Sequence, residues 1–118
     1  MNKKLWYVAH PYTSKNGITI EDNLRNCNAI CNNLIDKGYL IYSPITISHQ
    51  FHLLKERCPD FWYEYDLEIM KKCNGIILCS HWEESKGCLL EYKEALKLKL
   101  EIRFYQTIWD HYNIKEDD

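Results

Sequence analysis

Glycine and proline are scarce in this chain, four and three in 118 residues, so there is no Gly- or Pro-rich linker that would divide it into separate units. No apolar run approaches the ~20 residues that a bilayer-spanning helix needs. The start, basic at Lys3 and Lys4 and then apolar, is too brief for a secretion signal and is closed by Pro11. These absences point to a cytoplasmic protein with no membrane partner. An excess of positive charge is missing as well. Fifteen Lys and Arg against 17 Asp and Glu give a formal charge of −2, without the basic stripe that binding a phosphodiester backbone requires, which argues against a nucleic-acid polymer as partner. Paired metal-ligand spacing is also lacking. The six cysteines, at 27, 31, 58, 73, 79 and 88, contain no Cys-x-x-Cys, so no metal is expected, and without a secretion signal free thiols are the expected state. Five of them, Cys58 excepted, fall in largely apolar stretches where a reduced Cys acts as a small hydrophobe.

What the chain does contain is an alternation of short apolar runs and amphipathic segments. Residues 5–9 form a β-prone apolar run that breaks at His10-Pro11. From 20 to 36 the apolar positions Ile20, Leu24, Cys27, Cys31 and Leu34 recur at helical spacing, and Gly38 ends the helix. Residues 39–42 read as a second strand, followed by Ser43-Pro44 and a polar stretch through Ser48, His49 and His52. Cys58-Pro59-Asp60 then breaks the chain, with Asp60 as N-cap of a helix over 61–72. A strand over 75–79, a helix over 85–99 capped by Ser85, a strand over 101–105 and a solvated acidic tail over 113–118 complete the reading. Each strand is a short continuous apolar run, the pattern of a parallel sheet covered on both faces. The chain is therefore expected to be one α/β domain over residues 1–118, a small three-layer sandwich with a doubly wound, mostly parallel sheet of four to five strands. Its ligand crevice belongs at the carboxyl ends of the first three strands, where the strand order reverses.

Reading the loops at that edge gives the candidate site. Ala9 ends the first strand, and His10, Pro11 and Tyr12 follow it. Ser43, Ser48 and His49 follow the second, and His81 to Gly87 the third. Glu91 stands out among them, because it lies six positions after Ser85 and one helical turn after Gly87, so that its carboxylate projects over a position with no side chain. Asp66 sits at the edge of the inward face of the middle helix. Tyr7 lies within the first strand, and its hydroxyl needs a partner if it is buried.

Tyr7-Val-Ala-His-Pro11, Asp66, the strand over 75–79 and Ser85-x-Gly87-x-x-x-Glu91-x-x-x-Ala95 together resemble the nucleoside 2-deoxyribosyltransferase superfamily, including the 2′-deoxynucleoside 5′-phosphate N-hydrolases. The resemblance covers roughly residues 5 to 105. It implies a flavodoxin-like sheet, Glu91 as nucleophile, Asp66 orienting the sugar or the leaving base, and Tyr7 aligning the Glu91 carboxylate. Serine at position 85, where the transferases carry an acid, implies a 5′-monophosphate substrate. The chain departs from the family pattern at Asn74, where an Asp is common, and in a first loop that is not glycine-rich.

The leading expectation is thus cleavage of the N-glycosidic bond of a small nucleotide or nucleoside by double displacement through Glu91, with water resolving the glycosyl ester. The helix N-terminus should help keep Glu91 ionised, and Ser85, Gly87 and His49 should hold a phosphate. No cofactor is required. Two alternatives stay open, a glycohydrolase acting on an NAD-type dinucleotide and a non-catalytic protein that sequesters a nucleotide. The aromatic segment Phe61 to Tyr65 is too large to bury wholly in so small a domain, and this points to a homodimer.

Overall fold

The computed structural model describes residues 3–109 and 113–117. Five strands, β1 (Leu5–Ala9), β2 (Leu40–Tyr42), β3 (Gly75–Cys79), β4 (Glu101–Trp109) and β5 (Asn113–Asp117), form one sheet in the order β2-β1-β3-β4-β5. The first four are parallel and β5 runs antiparallel to β4. Four helices cover the sheet: α1 (Ile20–Asp36), α2 (Pro44–His52), α3 (Pro59–Met70) and α4 (Lys86–Lys97). This is the flavodoxin-like α/β sandwich expected from the sequence.

The two sheet faces sort β1 residue by residue. Trp6 and Val8 pack with Cys27, Ile30, Cys31 and Leu34 of α1, while Tyr7 and Ala9 pack on the other face with Met70, Cys88 and Ala95 from α3 and α4. Both faces are dry, so β1 shows no polar alternation. Each large side chain buried this way contributes on the order of 1.5–3 kcal/mol. All six cysteines are free, and Cys27, Cys31, Cys73, Cys79 and Cys88 are buried in these layers.

Helix α1 starts at a reciprocal cap, in which Thr19 Oγ1 accepts from Asp22 N–H and Asp22 accepts from Thr19 N–H, both at 3.0 Å. It ends where Gly38 turns left-handed at φ +92, with Tyr39 N–H on the Leu34 carbonyl and Gly38 N–H on that of Ile35, a Schellman stop. Asn74 joins the ends of three strands. Its backbone N–H and side-chain Oδ1 both engage Leu5 at 2.8 Å, and its carbonyl accepts from Glu101 N–H.

Several boundaries differ from the sequence reading, among them that of β4, expected to end at 105 and running to Trp109. The stretch after Ser43 folds into α2, because Pro44 occupies the first helical position, where its missing N–H costs nothing. The same device starts α3 at Pro59, which makes Cys58 the cap and leaves Asp60 in the first turn. The expected acidic tail is instead strand β5, whose pairing with β4 runs from Trp109 opposite Asn113 to Phe104 opposite Asp117. Asp118 lies outside the described residues. No described helix is long and apolar enough to cross a membrane.

Candidate active site

Parallel register sets Tyr7 of β1 opposite Tyr42 of β2, so both rings leave the same face of the sheet, with centroids 5.9 Å apart. Each hydroxyl holds one carboxylate. Tyr7 Oη donates to Glu91 Oε2 on α4, and Tyr42 Oη donates to Asp66 Oδ1 on α3 at 3.0 Å. Two acids from two helices thus meet two tyrosines from two strands on one face of the sheet.

Burial governs their protonation. Desolvation pushes Glu91 up from 4.5 to about 8; the Tyr7 hydrogen bond works against the rise and the Asp66 charge adds to it. Desolvation likewise lifts Asp66 from 3.8 to about 6, opposed by the bond from Tyr42. Tyr7 is held well above its ordinary value by burial and then by the Glu91 and Asp66 charges, so it stays a donor throughout the working range. The expectation that the helix N-terminus keeps Glu91 ionised is corrected here. Glu91 lies in the second turn of α4, and the terminal partial charge fades within the first turn, leaving desolvation in command.

A cavity of about 560 Å³ opens at the carboxyl ends of β1 and β3, between the β1–α1 loop and the first turn of α4; Tyr7, Tyr42, Asp66 and Glu91 do not line it, and its wall comes nearest to Glu91 along α4 at Gly87, one helical turn earlier. Strands β1 and β3 are neighbours from which the chain winds in opposite directions, so the cavity lies at the switch point. His10, Pro11, Tyr12, Ser85 and Gly87 line it. His10 is buried, and burial lowers its pKa from 6.5 to about 4; Asn23 fastens the loop by donating to the Tyr12 carbonyl at 3.1 Å. Ser85 caps α4 by accepting from Cys88 N–H at 3.2 Å. A Cβ on Gly87 would meet nothing nearer than Ser85 Oγ at 4.0 Å, so the wall toward Glu91's turn stays open. His81, at the entrance to a short 3₁₀ turn (Trp82–Glu84), takes a left-handed φ of +69, uncommon for a residue with a Cβ.

The remaining sequence candidates fall elsewhere. Ala9 is fully buried on the α3/α4 face. Ser43 is buried against Cys27 Sγ at 3.3 Å and Thr46 Oγ1 at 2.8 Å, far into the α1 side. Ser48 is also buried, and His49 meets the cavity only through Tyr12, whose hydroxyl lies 2.8 Å from its Nδ1. Tyr42 and Asn26 were not singled out from the sequence. For Tyr42 the signal was its place as the last residue of β2, at the edge where the site was expected. Asn26 gave none, because a polar residue on an amphipathic helix reads as solvated. Among the described residues no group of three or more His, Cys, Asp or Glu is placed to hold a metal ion.

The family model described as "Domain of unknown function (DUF1937)" matches residues 4–107. The chain belongs to this family. No curated protein matches it. The DUF1937 match runs from the residue before β1 into β4, so the paired carboxylates, their tyrosines and the whole cavity wall fall inside the family domain.

Proposed function

We propose that the protein cleaves the N-glycosidic bond of a small nucleotide or nucleoside through a glycosyl ester on Glu91, which water then hydrolyses. The observation that carries this reading is the pair of tyrosine-held, desolvated carboxylates, with Glu91 on the helix whose first turn walls the cavity at the switch point. Double displacement needs a carboxylate that can stabilise positive charge at the anomeric carbon, bond to it and leave again. With Oε2 fixed by Tyr7, the other Glu91 oxygen is the attacking atom. The C–N bond breaks with its electron pair on the base, the ester forms on Glu91, and water afterwards releases the sugar and restores the carboxylate. Asp66, held on one oxygen by Tyr42, keeps a second oxygen for a sugar hydroxyl. With its pKa raised to about 8, Glu91 is mostly protonated near pH 7, and the cationic character that develops at the anomeric carbon favours its ionised form.

The order of the two pKa values favours one rival assignment, in which Asp66, ionised first, is the nucleophile and Glu91 the acid. A panel of nucleosides and their monophosphates, ribo and deoxy, identifies the released base, and trapping with a 2-fluoro sugar analogue followed by peptide mass spectrometry locates the ester. An ester on Glu91, and loss of base release in Glu91→Gln, is the expected result. Base release at the wild-type rate by Glu91→Gln eliminates the assignment.

A further inference from the structure

The cavity at the switch point is larger than one phosphate group needs. At about 30 Å³ for each water-sized atom, four phosphate oxygens fill on the order of 120 Å³ of the available 560 Å³. Its walls indicate what occupies the rest. Lys15, in the β1–α1 loop, donates from Nζ to the Glu84 carbonyl at 3.0 Å, which ties the loop to the turn before α4. An ammonium has three donors, so two remain for a ligand, and Lys86 in the first turn of α4 adds a second positive charge; the two carboxylates in the same lining, Asp22 and Glu84, are engaged by Thr19 N–H and Arg25 and by His81.

Deeper in the wall, the hydrogen bonds of His10 fix an orphan acceptor. The Pro11 carbonyl, 2.7 Å from His10 Nδ1, can only accept, so the neutral ring carries its proton on Nδ1 and Nε2 is an acceptor. Asn26 therefore turns Nδ2 toward Nε2, at 2.9 Å. Its Oδ1 is left buried with no partner. A buried acceptor in that state is costly, and Asn26 lines the cavity, so a slight turn of the amide toward the cavity would let Oδ1, closed to solvent as it stands, accept from a ligand's hydroxyl or amino donor.

We propose that this cavity receives the part of the substrate beyond its first 5′-phosphate, a second donor-bearing group joined through a diphosphate. The substrate class is then a diphosphate-linked nucleotide, with Lys15 and Lys86 facing the diphosphate and Asn26 Oδ1 accepting from the distal hydroxyl or amino group. This rests on the glycosidic reading above: Glu91 follows Gly87 by one turn, roughly 6 Å of helix rise, so a sugar held at Glu91 directs its phosphate past Gly87 into the cavity.

Calorimetry on the Glu91→Gln protein, which spares the ligand, tests the proposal with one ladder for each common base: nucleoside 5′-monophosphate, 5′-diphosphate and diphosphate-linked ribose. For the preferred base, Kd is expected to fall at least tenfold from the first rung to the last. Asn26→Leu is expected to remove the gain of the last rung and not that of the second phosphate. A flat ladder, tighter binding of the monophosphate or no binding on any rung overturns the proposal, and a last-rung gain untouched by Asn26→Leu overturns the role of Asn26. The two readings fail separately. Base release by Glu91→Gln sinks the assignment of Glu91, and the ladder is then read with carbocyclic analogues that carry no cleavable glycosidic bond; a flat ladder with an inactive Glu91→Gln sinks only the extended substrate.

Discussion

Tyr42 Oη lies 3.0 Å from Asp66 Oδ1, and the ring that carries it neighbours Tyr7, the donor to Glu91. Two adjacent strands thereby control two catalytic candidates on two helices, each acid with its own phenolic donor. A phenol stabilises the ionised form of the acid it faces, against the desolvation that opposes it. The pairing sets how far each carboxylate departs from solution behaviour, and so the pH range in which both are charged.

Removing the Tyr42 hydroxyl tests that control. In Tyr42→Phe, Asp66 loses its one opposing influence and its pKa rises further above 6. Base release is expected to fall ~10-fold, equivalent to about 1.4 kcal/mol, and the acid limb of kcat/KM to move to higher pH. Urea unfolding should change little, since the ring remains. A limb that stays in place shows that Tyr42 does not position Asp66.

The pH dependence of stability has a definite sign. Glu91 and Asp66 have folded-state pKa values raised to about 8 and about 6, so the stability they contribute is complete below their unfolded values and is lost as pH rises through the folded ones. His10, lowered to about 4, acts oppositely: its contribution is complete above about 6.5 and is lost as pH falls toward 4. Glu91→Gln keeps an acceptor for Tyr7 and removes the alkaline loss. Its stability relative to wild type should therefore be greater at pH 9 than at pH 5, by on the order of 2–4 kcal/mol. Urea titrations at the two pH values check this, and an equal difference at both would refute the desolvated, proton-retaining Glu91.

Much of the fold, and the placement of the candidate residues in it, was legible in the sequence. Leu5 to Ala9 and Gly75 to Cys79 are apolar runs too short for helices, and the 4-3-4-3 spacing in α1 admits few other readings, so the parallel sandwich and its edge followed directly. The Ser85 cap and the position of Glu91 one turn beyond Gly87 were equally local. What escaped was set by long-range pairing or by desolvation. The Tyr42–Asp66 bond depends on β2 lying next to β1 and on α3 crossing that face. The protonation of Glu91 depends on burial that a helical position does not encode. Helix α2 escaped because its polar, His-rich sequence has weak periodicity, although Pro44 after Ser43 marked its start.

Exposure across α2, α3 and the loop between them predicts self-association. Leu53 and Leu54 are 74% and 81% exposed, and Phe61 and Tyr65 41% and 44%. Phe51, Phe61 and Tyr65 cluster around Trp62, with Arg57 over the Phe61 and Trp62 rings. Such a contiguous apolar face favours a symmetric dimer. Light scattering at tens of micromolar should give twice the chain mass, and Leu54→Lys should shift the population to monomer. A strict monomer in wild type disproves the dimer.

Gly75 carries the last prediction. A Cβ there would stand 2.3 Å from Trp6 Cζ3, 2.5 Å from Cε3 and 3.0 Å from the Glu101 carbonyl oxygen. Trp6 cannot easily retreat, because it is buried among the α1 side chains and carries the Arg103 guanidinium over its ring at 4.8 Å. Gly75→Ala is expected to cost about 2–3 kcal/mol through overpacking, read as a lower urea midpoint at unchanged slope. The Trp6→Leu background removes the two ring contacts and keeps the one to the carbonyl. The same Gly75→Ala change should then cost at least 1 kcal/mol less, a coupling of the size found between touching core residues. Equal costs in the two backgrounds would mean that the indole does not hold β3 against β1, and that the β1/β3 register beneath the cavity has another source.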